Sequence, residues 1–259
     1  MMPARTGERG ARVLAVTSGK GGVGKTFLAA NLGAALARLG RRVLVLDADL
    51  GLANLDVILN LAAKATLHEV FTGQATLDEA LWPAPGGFSV LLAGSGLVEY
   101  SRLTPELREK LLDVIAQLRR RFDDVILDTG AGISDVVLFT VSLADEVLLV
   151  ATPEPTSLAD AYATVKVLAA TQAQRPVRLL VTQAPQPADG RGVHAQLQRV
   201  IDRFVSPALD APLTLDLIGT VPLDADVREM VQRRRLLLEA LPGGAAARAV
   251  VDAAARLVP

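Results

Sequence analysis

The sequence predicts an α/β fold, a mostly parallel, twisted sheet with helices on both of its faces. Short apolar runs rich in Val, Leu and Ile alternate along the chain with segments whose apolar residues recur at helical spacing, the pattern of β–α–β units. Hydrophobic residues make up 51% of the 259 residues but aromatic residues only 3%, and small aliphatic side chains suit helices packed closely on a buried sheet. Because α/β folds of this length often form one domain, we expect a single domain.

Seven apolar runs are the candidate strands. Each is short and rich in aliphatic residues, and a polar or glycine-containing segment follows most of them. In chain order they are RVLAVT from Arg12, RRVLVLD from Arg41, FSVLLAG from Phe88, DDVILDT from Asp123, DEVLLVAT from Asp145, VRLLVTQ from Val177 and LDLIGTV from Leu215.

Two helices and one loop are the clearest segments between these strands. The run from Lys25 to Gly40 repeats apolar residues at helical spacing and ends on a glycine, a common C-terminal cap. The run from Leu103 to Phe122 predicts a second helix, with Thr104 as N-cap, Pro105 in the first turn and basic residues at its end. The Pro- and Gly-rich segment from Gln183 to Gly192 predicts a flexible loop. Trp82, in LWPAPGG, is expected to pack over a turn.

Charge and composition exclude several classes of protein. With 27 Lys and Arg against 28 Asp and Glu, the net charge of −1 excludes a strongly basic nucleic-acid binder. The absence of cysteine excludes a disulfide framework and a thiolate metal site. We find no apolar run long enough to cross a bilayer and no apolar core of a secretion signal at the start. We therefore expect a cytoplasmic protein with a polar tail at residues 1–10 and one domain at 11–259.

The segment TSGKGGVGKT contains a phosphate-binding loop. Gly19, Gly24, Lys25 and Thr26 match the spacing G-x-x-x-x-G-K-[ST], directly after a predicted strand and directly before a predicted helix. In such a loop the backbone N–H groups and the helix N-terminus hold phosphates, the lysine reaches the β- and γ-phosphates, and the threonine ligates Mg²⁺. We predict a P-loop nucleoside triphosphatase whose nucleotide contacts also include Gly21, Gly22, Val23 and Phe27.

Three aspartates follow or end apolar runs at the predicted carboxyl edge of the sheet, where ligands of α/β proteins bind. Asp47 and Asp49 lie at the end of the second run, where a carboxylate can orient the attacking water. Asp128 ends the run DDVILD, the pattern of a strand whose aspartate holds Mg²⁺ through a water ligand. Gly130 and Gly132 then allow a flexible switch. The alternative is a set of polar turns that close buried strands.

The loop GKGGVGKT, with its additional Lys20, resembles the deviant Walker A loop of the MinD/ParA ATPases. The resemblance implies that Lys20 crosses a dimer interface to the nucleotide of the partner subunit. It also implies that Asp49 positions the hydrolytic water, that Asp47 assists around Mg²⁺ and that Asn54 belongs to a nucleotide-sensing switch. The alternative interpretation of Lys20 is a solvated loop charge.

Within this family the chain is most similar to flagellar-number regulators of the FlhG/FleN type. The segments LDADLGLANLDVIL, DTGAGIS, TPEPTSLADAY and IGTVPLDADVREMV carry the resemblance. It implies that Glu154 lies near the dimer face, although a loop-to-helix junction without such a role would have the same sequence. It also implies that Pro222 and Asp224 frame the base of the nucleotide.

Two positions depart from the family pattern. Phe27 replaces a hydroxyl or amide residue that reaches the α-phosphate in relatives, which predicts a lower nucleotide affinity. Relatives usually carry an asparagine that reads adenine where this chain has Thr182, or by a different alignment Gln183. The C-terminal segment from Gly243 lacks the large apolar and basic faces of the family's membrane helix, so we expect it to pack on the domain.

These observations predict an ATP- and Mg²⁺-dependent homodimerisation switch, a slow, partner-stimulated ATPase that regulates flagellar number or placement. The expected partners are proteins of the flagellar system, either a GTPase or a transcription activator. One alternative is a ParA-like positioner that binds nonspecific DNA, for which Arg119 to Arg121 and Arg233 to Arg235 are the basic runs. The other is a nucleotide-bound adaptor with little turnover.

Overall fold

The structure is a computed structural model that describes residues 10–51, 53–94, 102–172 and 175–258. Eight strands form one sheet within these residues. They are β1 Arg12–Ser18, β2 Val43–Ala48, β3 Leu81–Pro83, β4 Ser89–Leu91, β5 Asp124–Ala131, β6 Glu146–Ala151, β7 Val177–Ala184 and β8 Leu215–Pro222. The tail predicted at residues 1–10 lies almost wholly outside the described residues, so its boundary stays a prediction.

The described residues also contain eleven α-helices and one 3₁₀ turn, and the last three helices follow the final strand β8. The α-helices are α1 Lys25–Arg38, α2 Leu55–Leu59, α3 Leu67–Thr72, α4 Leu77–Ala80, α5 Pro105–Leu118, α6 Asp135–Ser142, α7 Pro155–Thr171, α8 Asp189–Phe204, α9 Ala225–Gln232, α10 Leu237–Ala240 and α11 Ala245–Leu257; the 3₁₀ turn is Ser206–Ala208. In that part of the chain no helix has the length and apolar character needed to span a bilayer.

The sheet has the order β3-β4-β2-β5-β1-β6-β7-β8. Every neighbouring pair is parallel except β3 and β4, which are antiparallel. Alternate residues of the strands enter two separate hydrophobic clusters, one beneath α3 to α8 and one beneath α1, α2, α10 and α11. The prediction of a mostly parallel sheet covered by helices on both faces is therefore confirmed.

The capping residues in the sequence correctly predict where the first helix ends and where the second begins. Helix α1 ends at Arg38, and Gly40 then adopts the left-handed φ of +80°. Helix α5 begins at Pro105, and the hydroxyl of Thr104 accepts a hydrogen bond from the N–H of Leu107 at 3.2 Å. Helix α11 packs on β8 and α1 with Val250 and Leu257 buried, as expected for the C-terminal segment.

One strand was not expected from the sequence, and one sequence expectation was wrong. Trp82 lies in strand β3, paired with Val90 of β4, and the turn between the two strands follows it. The segment from Gln183 to Gly192 is not one flexible loop, because β7 continues to Ala184 and α8 begins at Asp189. The side chain of Asp189 accepts a hydrogen bond from the N–H of Gln186 at 2.8 Å, which closes the connecting turn.

Candidate functional site

The phosphate loop joins β1 to α1 at the carboxyl edge of the sheet. Gly24 is the N-cap of α1 and has a left-handed φ of +94°, a conformation that favours glycine. No side chain caps α1, and its first turn carries no acidic residue. The first N–H groups of α1 therefore remain available to an anion, and the helix dipole favours negative charge there.

Helix α7 lies directly against the start of this loop. A Cβ atom on Gly19 would lie only 2.2 Å from the carbonyl oxygen of Asp160 in α7. Because real Cβ atoms do not approach backbone oxygens so closely, only glycine fits at this position. The contact fixes the position of the loop relative to α7.

Lys25 is the first residue of α1, and its side chain is buried beneath the loop. Its Nζ donates a hydrogen bond to the hydroxyl of Ser18 at 3.0 Å, and only 9% of the residue is exposed. Burial lowers the pKa of Lys25, while the carboxylates of Asp128 and Asp49 act in the opposite direction. The structure thus brings one cation and two acidic side chains to the N-terminus of α1.

Lys20 lies outside the cleft that Lys25 lines. Its Nζ contacts Oε2 of Glu154 at 2.5 Å and the hydroxyl of Thr156 at 3.1 Å, both at the start of α7. The side chains of Lys20 and Glu154 are 38% and 60% exposed. The sequence prediction placed both residues at a dimer face, and in the single chain they pair with each other.

Asp47 lies in β2 and anchors the segment that follows. Only 1% of it is exposed, and its carboxylate accepts hydrogen bonds from the N–H groups of Asp49, Asn54 and Leu55 at 3.3, 3.2 and 3.1 Å. Burial raises the pKa of Asp47 to about 7, although these hydrogen bonds lower it. Asp47 thereby ties the start of α2 to the end of β2.

Asp128 is the buried carboxylate of β5. It pairs across the sheet with Asp47 on β2, and 2% of it is exposed. Burial raises its pKa to about 8, the charge of Asp47 adds to this effect, and a hydrogen bond from the side chain of Thr26 opposes it. Its Oδ1 is buried without a hydrogen-bond partner among the described residues.

The phosphate loop lines a cleft of about 1210 Å³. Most of the predicted nucleotide-binding residues line it, together with Asp49, Asn54 and Gly130, whereas Gly19, Lys20, Asp47, Asp128, Gly132 and Glu154 lie outside its lining. The predicted lining residues are Gly21, Gly22, Val23, Gly24, Lys25, Thr26, Phe27, Thr182, Pro222 and Asp224.

The far end of the cleft lies between α1, β7 and α9. Phe27 contributes to its wall and is 7% exposed. Asp224 is the N-cap of α9, since its Oδ1 accepts a hydrogen bond from the N–H of Asp226 at 2.9 Å. Sequence reasoning missed the α9 residues Val227, Arg228 and Val231 and the α2 residues Val57 and Ile58, which also line the cleft.

The residues at the phosphate end fit a magnesium-bound nucleotide. Mg²⁺ prefers oxygen ligands and usually keeps several waters while it contacts one or two protein groups and the phosphates. The Oδ1 of Asp128, buried without a hydrogen-bond partner among the described residues, supplies such an oxygen, and the hydroxyl of Thr26 lies close enough to lower the pKa of this carboxylate. Within the described residues no group of three or more His, Asp or Glu side chains forms a metal site by itself. The cation would therefore be held jointly with the phosphates.

The chain matches a family model and several known proteins. Residues 14–237 match the CobQ/CobB/MinD/ParA nucleotide binding domain. The chain is 42% identical to the antiactivator FleN of Pseudomonas aeruginosa over 231 residues, which covers 89% of this chain and 80% of that protein. It is 30% identical to the flagellum site-determining protein YlxH of Helicobacter pylori, which covers 95% of this chain and 82% of that protein.

A solved structure gives the same assignment. The septum site-determining protein MinD of Pyrococcus horikoshii, complexed with Mg-ADP, superimposes with a TM-score of 0.75 at 27% sequence identity, which covers 96% of each chain. The family model, the two relatives and this structure agree with the phosphate loop and the aspartates described above. The chain belongs to the CobQ/CobB/MinD/ParA family of nucleotide-binding domains.

Proposed function

We propose that this chain binds Mg-ATP in the 1210 Å³ cleft, hydrolyses it to ADP and phosphate, and uses the cycle to switch between a monomer and a dimer. The observation that carries the proposal is the phosphate end of the cleft. The uncapped N-terminus of α1 and the buried ammonium of Lys25 lie there, and Asp128, whose Oδ1 has no hydrogen-bond partner among the described residues, lies near Lys25 just outside the lining. Positive groups favour the phosphates, and the carboxylate beside Thr26 favours the cation that accompanies them.

Asp49 is the residue of the cleft that we assign to hydrolysis. It follows β2, lines the cleft and lies near Gly130 of β5. In this role its carboxylate orients a water and accepts its proton as the water oxygen bonds to the γ-phosphorus. The bond from the γ-phosphorus to the bridging oxygen breaks, and ADP keeps its electron pair. Bound Mg²⁺ supplies electrostatic stabilisation of the phosphate charge in this reaction.

Lys20 acts on a second copy in this proposal. It lies outside the lining of its own cleft, and its ammonium donates a hydrogen bond to Glu154, the N-cap residue of α7. A cation supplied across an interface neutralises the charge that develops on transferred phosphate. The two lysines of the loop then have separate tasks, since Lys25 serves its own nucleotide and Lys20 serves the neighbour's.

The flagellar relatives support the cellular part of the proposal. The chain is similar over most of its length to an antiactivator and to a flagellum site-determining protein. We therefore propose that it regulates flagellar number or placement in the cytoplasm, with turnover that is slow until a protein partner binds. A GTPase or a transcription activator of the flagellar system is the partner class that the proposal names.

Three of the six arginines in the two basic runs already form ion pairs, which weakens the alternative of a DNA-based positioner. Arg119 forms an ion pair with Asp145 at 2.8 Å, and Arg233 forms one with Glu229 at 2.7 Å. Arg121 also pairs with Asp78. A guanidinium that is already paired with a carboxylate gains less from a DNA phosphate, because the existing ion pair must first be broken.

Light scattering tests the switch. In a chain with Asp49→Ala, which we expect to bind but not hydrolyse, Mg-ATP should double the mass whereas ADP should not. Adding Lys20→Ala should abolish the doubling, whereas adding Lys166→Ala, at an exposed lysine of α7, should leave it intact. A mass that never depends on the nucleotide would refute the dimer mechanism. Equal dimerisation of the Lys20 and Lys166 variants would refute the assignment of Lys20.

A further inference from the structure

The end of β7 departs from regular strand geometry beside the phosphate loop. The pairing of β7 with β8 is regular from Leu180 to Val181, and the register then shifts before Ala184. Gln183, within this shift, has a φ of +53°, a left-handed conformation that residues other than glycine rarely adopt. Such irregularities next to functional sites often re-aim side chains.

Here the irregular backbone accompanies two hydrogen bonds to the phosphate loop. The hydroxyl of Thr182 donates to the carbonyl oxygen of Val23 at 2.8 Å, and Nε2 of Gln183 donates to the carbonyl oxygen of Gly22 at 2.9 Å. A carbonyl oxygen only accepts, so it fixes which end of the Gln183 carboxamide faces the loop. Two consecutive residues of β7 thus bond to two consecutive residues of the loop.

The direction of these bonds matters for phosphate binding. A phosphate loop turns its N–H groups inward to the anion, so carbonyl groups of the same peptides point outward. Donors on the outside can therefore hold the peptides in the orientation that binds phosphate without occupying the phosphate site. Thr182 is well placed for this purpose because it is only 4% exposed.

The same segment also touches the opposite end of the cleft. The carbonyl oxygen of Ala184 accepts a hydrogen bond from the N–H of Leu223 at 2.9 Å. Leu223 lies between Pro222 and Asp224, and all three residues line the cleft. The end of β7 therefore connects the phosphate loop to the loop on the other side of the nucleotide.

We propose that Thr182 and Gln183, which both line the cleft, are positioning residues that brace the phosphate loop through the carbonyl groups of Val23 and Gly22. The inference rests on the proposed function, since it concerns the affinity of the same cleft. It differs from a base-reading role for Thr182, because the shorter of the two contacts of its hydroxyl is to the carbonyl oxygen of Val23 at 2.8 Å, the other being to that of Ala151 at 3.4 Å. A brace affects every nucleotide that carries the same phosphates, whereas a base reader discriminates between bases.

Nucleotide affinity tests the brace. We would measure the dissociation constants of Mg-ATP and Mg-GTP by calorimetry for the unaltered chain, Thr182→Val, Thr182→Ser and Gln183→Met. Thr182→Val and Gln183→Met keep the size of the side chain and lose the donor, and we expect each to weaken both nucleotides by the same factor of about 2 to 10. Thr182→Ser retains the hydroxyl and should restore the affinity.

Two results would overturn the brace. A change confined to one nucleotide in Thr182→Val would show that this residue reads the base, and unchanged affinities in both donor-deleted variants would show that the bonds do not position the loop. Gln183 is exposed, so its variant keeps the test valid if Thr182→Val fails to fold.

Hydrogen exchange separates this inference from the proposed function. Measured without nucleotide, backbone exchange at residues 20–26 should be faster in the two donor-deleted variants than in the unaltered chain and in Thr182→Ser. An unaltered chain that binds no nucleotide would overturn the proposed function. Equal exchange in all four proteins would overturn the brace independently.

Discussion

Replacing Glu154 with glutamine should strengthen nucleotide-dependent dimerisation. In the single chain the ammonium of Lys20 pairs with Glu154 at 2.5 Å, and Lys20 must leave this carboxylate before it reaches the nucleotide of a second copy. Glu154→Gln removes the charge and keeps the size of the side chain. The variant should therefore hold Lys20 less firmly in its own subunit.

The exposure of the pair sets the size of the effect. Because the two side chains are 38% and 60% exposed, the ion pair contributes about 0.2 to 1 kcal/mol. A symmetric dimer breaks two such pairs, which is about 0.4 to 2 kcal/mol in total. One factor of ten in an equilibrium constant corresponds to about 1.4 kcal/mol, so the association constant should rise about 2- to 30-fold.

Sedimentation velocity with Mg-ATP would measure this association constant in the Asp49→Ala background. Glu109→Gln, at an exposed carboxylate of α5, is the matched control and should have no effect. The gain should shrink as salt is raised, because screening weakens an exposed ion pair. A weaker dimer in Glu154→Gln would refute this mechanism, because it would show that Glu154 contacts the partner subunit rather than restraining Lys20.

Two other substitutions test how the fold supports the site. Gly19→Ala should lower the free energy of unfolding, measured by urea denaturation, by about 2 kcal/mol or more, because the new Cβ would lie 2.2 Å from the carbonyl oxygen of Asp160. Gly21→Ala is the control, since open space surrounds that position, and it should cost less than about 1 kcal/mol. The pKa of Asp145 lies below its usual value. Burial alone raises this pKa, but the hydrogen bonds from Arg119 and from the backbone N–H of Val13 together lower it by more than burial raises it. A lowered pKa stabilises the folded state above the unfolded pKa, so Asp145→Asn should lose about 1 kcal/mol at pH 7 once solvent screening is counted. The difference from the unaltered chain should shrink as the pH falls through about 4 and should vanish below the lowered pKa of the folded state. Comparable urea midpoints for Gly19→Ala and Gly21→Ala, or a pH-independent loss in Asp145→Asn, would contradict these expectations.

Local sequence signals located the phosphate loop. The strand before it and the helix after it are contiguous in the chain, so the motif and its structural context can be read together. Asp47, Asp49 and Asp128 were found for a related reason, because the carboxyl ends of parallel strands lie on one edge of the sheet. The strand β3 was missed because a proline within a short run argues against a strand unless it lies at an edge, and Pro83 does lie at an edge.

Contacts between distant parts of the chain could not be predicted. Gln183 and Gly22 are 161 residues apart, and Lys20 and Glu154 are 134 residues apart. The Pro- and Gly-rich composition after Gln183 indicated a loop, and no local signal shows that the residue adopts a positive φ and bonds to the phosphate loop. Such contacts depend on the order of the strands, which places β7 two positions from β1.

The outermost strand at one end of the sheet has a consequence for how copies of the chain can associate. An unpaired strand edge invites a strand from another molecule, which leads to open-ended aggregation. Strand β3 has only three residues, runs antiparallel to its neighbour and ends in Pro83, which lacks an N–H group. It offers a poor template for strand addition. Copies of the chain are therefore not expected to associate through the edge of β3, and growth of a continuous β-fibre from this edge is disfavoured.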